Sequence, residues 1–194
     1  MLTISTFGTS LTAGGGWQAP LAQKIETKGV ETTILNRGKS GASSAWGITR
    51  AAAIAAETPD IVLVEFAVND AAFKRGLPLA PSLDNMARIF GELRVGAPNR
   101  LIILQRMNPV RGYRRWLRPF LDHYTRAHIA LAGSLGLPVI DHTPLWSQFD
   151  SQGLRRAIPD GLHPDANLTA EVIATSIYGQ LVKMPEFSRL VEMP

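Results

Sequence analysis

Apolar positions along the chain fall into two alternating rhythms. Short runs rich in aliphatic and β-branched residues, at residues 2–7, 31–36, 60–66, 101–105 and 137–141, predict five strands. The run Ile61-Val62-Leu63-Val64 shows no polar alternation and follows Pro59, the pattern of a strand buried on both faces. Longer segments lie between the runs. Residues 17–28 predict a helix closed by Gly29, and the alanine-rich residues 43–56 a second. A third begins at Ser82, with Leu83, Met86, Ile89, Phe90 and Leu93 spaced to share one face. Residues 118–134 predict a fourth, ended by Gly136, and residues 167–182 the last, with Leu168, Val172, Ile173, Ile177 and Leu181 inward. The tail from Met184 to Pro194 is expected to wrap the surface.

Strand alternating with helix throughout predicts an α/β fold. The sheet is parallel, about five-stranded and flavodoxin-like, with helices on both faces in three α/β/α layers. Parallel neighbours need crossover connections, which are almost always right-handed. No repeat, low-complexity segment or linker divides the chain, so residues 1–194 are expected to form one domain, with 183–194 as its C-terminal tail.

Composition narrows the chemistry. Of 194 residues, 45% are hydrophobic and 19% charged, which excludes global disorder. There is no cysteine, so disulfides, thiolate nucleophiles and Cys-based metal sites are excluded. No run approaches the roughly 20 apolar residues of a spanning helix. No basic segment followed by an apolar one opens the chain, so the expected location is cytoplasmic. The net charge of +4 is too small an excess to point to nucleic acid.

In open α/β sheets, chemistry gathers in loops beyond the carboxyl ends of the strands. Four such stretches carry groups suited to acyl transfer: Gly8-Thr9-Ser10-Leu11, Asn36 to Gly41, Ala67-Val68-Asn69-Asp70, and Asp160-Gly161-Leu162-His163-Pro164. Ser10 is the candidate nucleophile, and a serine hydroxyl needs a base to take its proton. His163 is the candidate base. Asp160, three residues upstream across a turn marked by Pro159 and Gly161, can fix the imidazole's tautomer and orientation. The backbone N–H groups of Ser10 and Gly41 and the amide of Asn69 are candidate oxyanion donors. Taken singly, each stretch reads as an ordinary turn or helix cap. Together, in this order and at four matching loops, they are hard to ascribe to coincidence.

These stretches resemble the four blocks of the SGNH hydrolases, the GDSL-type esterases and lipases. Ser10 matches the first block, Gly41 the second, Asn69 the third, and Asp160-x-x-His163 the last. The resemblance implies a carboxylic ester hydrolase working through an acyl-serine, on short acyl groups since no long apolar lid is visible. It implies a small-molecule or saccharide ester as partner, and no metal or organic cofactor. Two positions depart from the family pattern: Thr9 stands where Asp is usual, and Ala67 where Gly is usual. An acyltransferase using the same residues, or a non-catalytic carbohydrate-binding module on the same fold, are the alternative readings.

Residues 106–118 interleave arginines with Tyr113 and Trp116 after the fourth strand. Arg111, Arg114 and Arg115 are candidates to bind an anionic or sugar-like substrate, against the plainer reading of a solvated loop whose arginines pair with surface acids. His123, His128 and His142 lack partners at metal-ligand spacing and read as structural or surface histidines.

Overall fold

A computed structural model describes residues 1–192. Five strands, β1 (Leu2–Gly8), β2 (Thr32–Asn36), β3 (Ile61–Glu65), β4 (Leu101–Arg106) and β5 (Val139–Asp141), form one parallel sheet in the order β2-β1-β3-β4-β5. This is the flavodoxin-like order. It reverses direction at β1, so the loops after β1 and β3 open a crevice at the carboxyl edge.

The chain order of helices is α1 (Ser10–Ala13), α2 (Gln18–Glu26), α3 (Ser44–Gly47), α4 (Ala51–Ala56), α5 (Ala67–Asp70), α6 (Leu79–Arg94), α7 (Gly112–Trp116), α8 (Leu121–Ser134), α9 (Thr143–Trp146), α10 (Ser151–Ala157), α11 (Ala166–Leu181) and α12 (Pro185–Glu192). A 3₁₀ turn, Phe73–Arg75, follows α5.

Alternate residues of each strand feed opposite cores. Ile4, Ile61, Leu63 and Ile103 pack with Leu21 and Ile25 of α2, with Ile173 and Ile177 of α11, and with Phe187 of α12. Val62, Val64, Ile102 and Leu104 pack on the other face with Ile54 of α4, with Met86, Ile89, Phe90 and Leu93 of α6, and with Ala132 of α8. Each such side chain, taken fully out of water, stabilises the fold by roughly 1.5–3 kcal/mol.

Several elements differ from the sequence expectation. The helix expected over 43–56 is two helices, broken after Gly47. A Cβ at Gly47 would lie 2.8 Å from both Ile89 and Phe66, so this turn lies close against the core. α6 starts at Leu79, not at Ser82, because Pro81 falls in its first turn, where a missing N–H costs nothing. α8 starts at Leu121, beyond Pro119, and the arginine-rich stretch before it carries the short α7. The segment expected to wrap the surface contains α12, whose Phe187 is buried in the first core. Residues 193 and 194 of that tail lie outside the described residues. Among the described residues no helix is long and apolar enough to cross a membrane.

Candidate active site

β1 ends at Gly8, and α1 begins two residues later. Thr9 caps α1, its hydroxyl accepting from the Leu11 N–H at 3.2 Å, which puts Ser10 in the first turn, half-buried at the sheet edge. The Ser10 N–H finds no hydrogen-bond partner among the described residues. Beneath it lies Glu65, the last residue of β3, paired in register with Gly8. Its Oε1 accepts from the Thr9 N–H at 2.5 Å, the Thr9 hydroxyl at 2.8 Å and the Thr12 hydroxyl at 2.8 Å. Only glycine permits this at position 8, since a Cβ there would sit 2.3 Å from Glu65 Oε1. Burial pushes the Glu65 carboxyl up to about 7, against the three hydrogen bonds that favour its ionised form.

His163 reaches this turn from the loop between α10 and α11. Its Nε2 lies 2.9 Å from Ser10 Oγ and its Nδ1 2.8 Å from Asp160 Oδ2. Asp160 Oδ1 also accepts the N–H groups of Leu162, at 2.9 Å, and His163, at 2.7 Å. The carboxylate therefore shapes the turn as well as facing the ring. These hydrogen bonds and the imidazole beside it outweigh desolvation and pull Asp160 down to about 2. Gly161 takes φ +78°, and its carbonyl accepts from the Arg111 N–H at 2.7 Å. Asn108 Nδ2 donates to the Leu162 carbonyl at 2.8 Å, so the chain after β4 holds the loop in place. Leu162 itself is buried with Leu11, Val68 and Val110, an apolar patch joining the loops.

The loops flanking β1 supply the other two positions. Gly41, after β2, has φ +72°, and no hydrogen-bond partner for its N–H is found among the described residues. Asn69 lies in α5, straight after β3, and is buried. Its Nδ2 donates to the Ala42 carbonyl at 2.7 Å, tying the two flanking loops together and leaving one amide proton uncommitted. The cleft in front of Ser10 and His163 is about 400 Å³ and is lined by Leu11, Ala13, Gly14, Gly15, Ser40 and Pro164. A larger hollow of about 670 Å³ between β4, α8 and α9 touches neither Ser10 nor His163.

Residues 6–167 match the GDSL-like lipase/acylhydrolase family, a span that includes all four loops. This chain belongs to that family. As a GDSL-family member it is a carboxylic ester hydrolase. It is 27% identical over 169 residues to Esterase TesA of Pseudomonas aeruginosa, covering 84% of this chain and 79% of that protein. It is 26% identical over 171 residues to an arylesterase of Vibrio mimicus, covering 83% and 79%. Among solved structures, the lipase/acylhydrolase of Enterococcus faecalis superimposes with a TM-score of 0.79 at 23% identity, covering 93% of this chain and 95% of that one.

Within this GDSL-family fold, the arginines after β4 are largely occupied. Arg114 Nη2 lies 3.3 Å from Asp160 Oδ2, Arg115 pairs with Asp122 at 2.9 Å, and Arg111 Nη2 approaches the Ser151 carbonyl at 3.5 Å. The guanidinium nearest Gly41 belongs instead to Arg75 of the 3₁₀ turn; a Cβ on Gly41 would lie 2.9 Å from its Nη2.

Two buried carboxylates, Glu65 and Asp70, lie beside the site. Glu65 was signalled by its place at the end of an otherwise apolar buried strand, where an acid needs partners. Asp70, next to Asn69, accepts from the Ser44 N–H at 2.7 Å and the Ser82 hydroxyl at 2.6 Å, anchoring α5 to α3 and α6. With its only proton donated to Asp70, Ser82 accepts from His128 Nε2 at 2.8 Å. Burial lowers both His128 and His142 to about 4, so each is neutral near pH 7. His123 is exposed.

Proposed function

We propose that this chain is a serine esterase that hydrolyses short-acyl carboxylic esters through an acyl-serine intermediate. The observation that carries the reading is the unbroken line of contacts from Ser10 Oγ to His163 Nε2, at 2.9 Å, and from His163 Nδ1 to Asp160 Oδ2, at 2.8 Å. Ser10 attacks the ester carbonyl as His163 Nε2 takes its proton. Asp160, ionised at any ordinary pH, holds the Nδ1–H and stabilises the imidazolium that forms. The oxyanion is received by the N–H groups of Ser10 and Gly41 and by the free amide proton of Asn69. His163 then protonates the leaving alcohol. In the second half it takes a proton from water, which attacks the acyl-serine; the imidazolium then returns that proton to Ser10 Oγ as the acyl–oxygen bond breaks and the acid leaves. No step in this sequence calls for a metal or organic cofactor.

The short-acyl reading rests on the cleft. At about 400 Å³, lined by small side chains and open to solvent, it offers a long chain little apolar surface to bury. A series of p-nitrophenyl esters from acetate to palmitate tests it. The expected outcome is the highest kcat/KM at two to four acyl carbons and a steep decline beyond. A maximum at eight carbons or more would contradict it.

A further inference from the structure

We propose that Arg118 is a positioning residue for the oxyanion site, acting through the side-chain amide of Asn69. The inference rests on the role given to Asn69 above. Arg118 stands between α7 and α8 and is 3% exposed. Its Nε donates to the Val68 carbonyl at 2.6 Å, its Nη1 to the Arg114 carbonyl at 3.1 Å, and its Nη2 to Asn69 Oδ1 at 3.4 Å. One planar guanidinium thus grips the backbone before Asn69 and the oxygen of its side chain.

Two consequences follow from donor and acceptor chemistry. A guanidinium has no acceptor atom, so the amide atom facing it must be oxygen. The Ala42 carbonyl on the other side requires Nδ2. The orientation of the amide is therefore set from both ends, with the spare N–H directed by the same two contacts. A cation on Oδ1 also draws electron density through the amide and makes its N–H a stronger donor, as linked hydrogen bonds polarise one another.

The charge itself is unusual in its setting. Among the described residues, no carboxylate lies in ion-pair contact with Arg118, although a buried cation is costly without one. Burial, together with the nearby Arg114 and Arg75, weakens its hold on the proton, while Asp160 opposes that. Arginine stays charged regardless, so a permanent positive charge stands behind the amide that is to meet the oxyanion. That charge has no direct ion pair in the resting enzyme, Asp160 acting on it only at longer range, and it gains when negative charge develops on the substrate oxygen. Lysine could supply the charge but not three donors in one plane.

Kinetics of p-nitrophenyl acetate hydrolysis by wild type, Asn69→Ala, Arg118→Gln and the double variant test the proposal, with melting temperature and near-ultraviolet dichroism as checks of the fold. Arg118→Gln should lower kcat by about tenfold to hundredfold and move KM by less than about twofold, because the interaction is strongest in the transition state. In the Asn69→Ala background the same substitution should cost less than about threefold, the mark of two residues acting as one unit. Arg118→Lys should recover part of the rate. If Arg118→Gln does not fold, Arg118→Lys and its double variant carry the same cycle. Equal losses in both backgrounds, a loss confined to KM, or an unchanged kcat would overturn the proposal. Should Asn69→Ala itself leave kcat unchanged, the oxyanion role of Asn69 falls first and the role of Arg118 with it. A slow Asn69→Ala without coupling removes only Arg118.

Discussion

Glu65 and Thr9 are joined twice: the carboxylate accepts both the backbone N–H and the hydroxyl of the residue before Ser10. Threonine at this position can donate to a buried acid, which an ionised aspartate could not do. The departure from the family's usual aspartate is thereby accounted for by the partner beneath it.

Burial of the Glu65 carboxyl, acting against its hydrogen bonds to Thr9 and Thr12, makes stability depend on pH in a defined direction. Glu65 is raised in the folded state from 4.5 to about 7, so the folded chain holds more protons than the unfolded chain between those values. Its contribution is fullest below pH 4.5 and is lost as pH rises through 7. Relative to Glu65→Gln, the wild type should be more stable at pH 5 than at pH 8 by on the order of 2–3 kcal/mol. Urea denaturation of both proteins at the two pH values checks this; a difference independent of pH, or of opposite sign, would contradict it.

Asp160 works in the other direction. Its pKa is lowered from 3.8 to about 2, so its stabilising contacts are present above pH 3.8 and vanish as pH falls through 2. Asp160→Asn should therefore lose stability relative to wild type at pH 7, with the gap closing between pH 3.8 and 2. Its turnover should fall by about 10³ to 10⁴, as an amide cannot hold the same imidazole tautomer. Paired pH–stability curves and kcat measurements give both readings, and a variant of near wild-type turnover would remove Asp160 from the reaction.

Gly41→Ala meets two obstacles at once. The position has φ +72°, which costs a residue with a side chain roughly 1–2 kcal/mol, and the new methyl would press on Arg75. The variant should melt at a lower temperature and lose kcat more than KM. A variant matching wild type in both would show that the Gly41 N–H does not serve the oxyanion.

Anion recognition separates the arginines. Because Arg114 and Arg115 are paired with acids and Arg75 lies against Gly41, the preference for an ester bearing a carboxylate should depend more on Arg75 than on Arg111, Arg114 and Arg115. Arg75→Gln should raise KM for an anionic ester and leave a neutral ester of equal size unchanged. The effect should weaken in 1 M salt, where the screening length falls from roughly 8–10 Å at physiological ionic strength to about 3 Å. Equal shifts for the two esters would show no anion recognition by Arg75.

The centre of the sheet was readable in the sequence because β1, β3 and β4 are buried on both faces, and unbroken apolar runs such as Ile61 to Val64 have no other economical placement. The helix α6 was readable from its periodic apolar face; on α11 Ile173, Ile177 and Leu181 face inward as expected, but Leu168 and Val172 are exposed. The short helices α5, α7, α9 and α10 were not, since four to seven residues are too few to display a period. The break after Gly47 depends on Phe66 and Ile89, residues distant in sequence, and no local pattern records that contact. The same division holds at the site. Ser10, Gly41 and Asn69 could be singled out because each closely follows a predicted strand, and Asp160 and His163 because their turn precedes the last predicted helix. Arg118 was not, because it reads as one arginine among several until the fold carries it under Val68 and Asn69.

Turnover of Ser10→Ala tests the central claim most directly. In the proposed reaction Ser10 Oγ, 2.9 Å from His163 Nε2, forms the bond to the acyl group. The folded variant, with an unchanged melting temperature, should hydrolyse the best p-nitrophenyl ester at least about 10³-fold more slowly than wild type. A folded Ser10→Ala variant that retains wild-type turnover on that substrate would contradict the acyl-serine account.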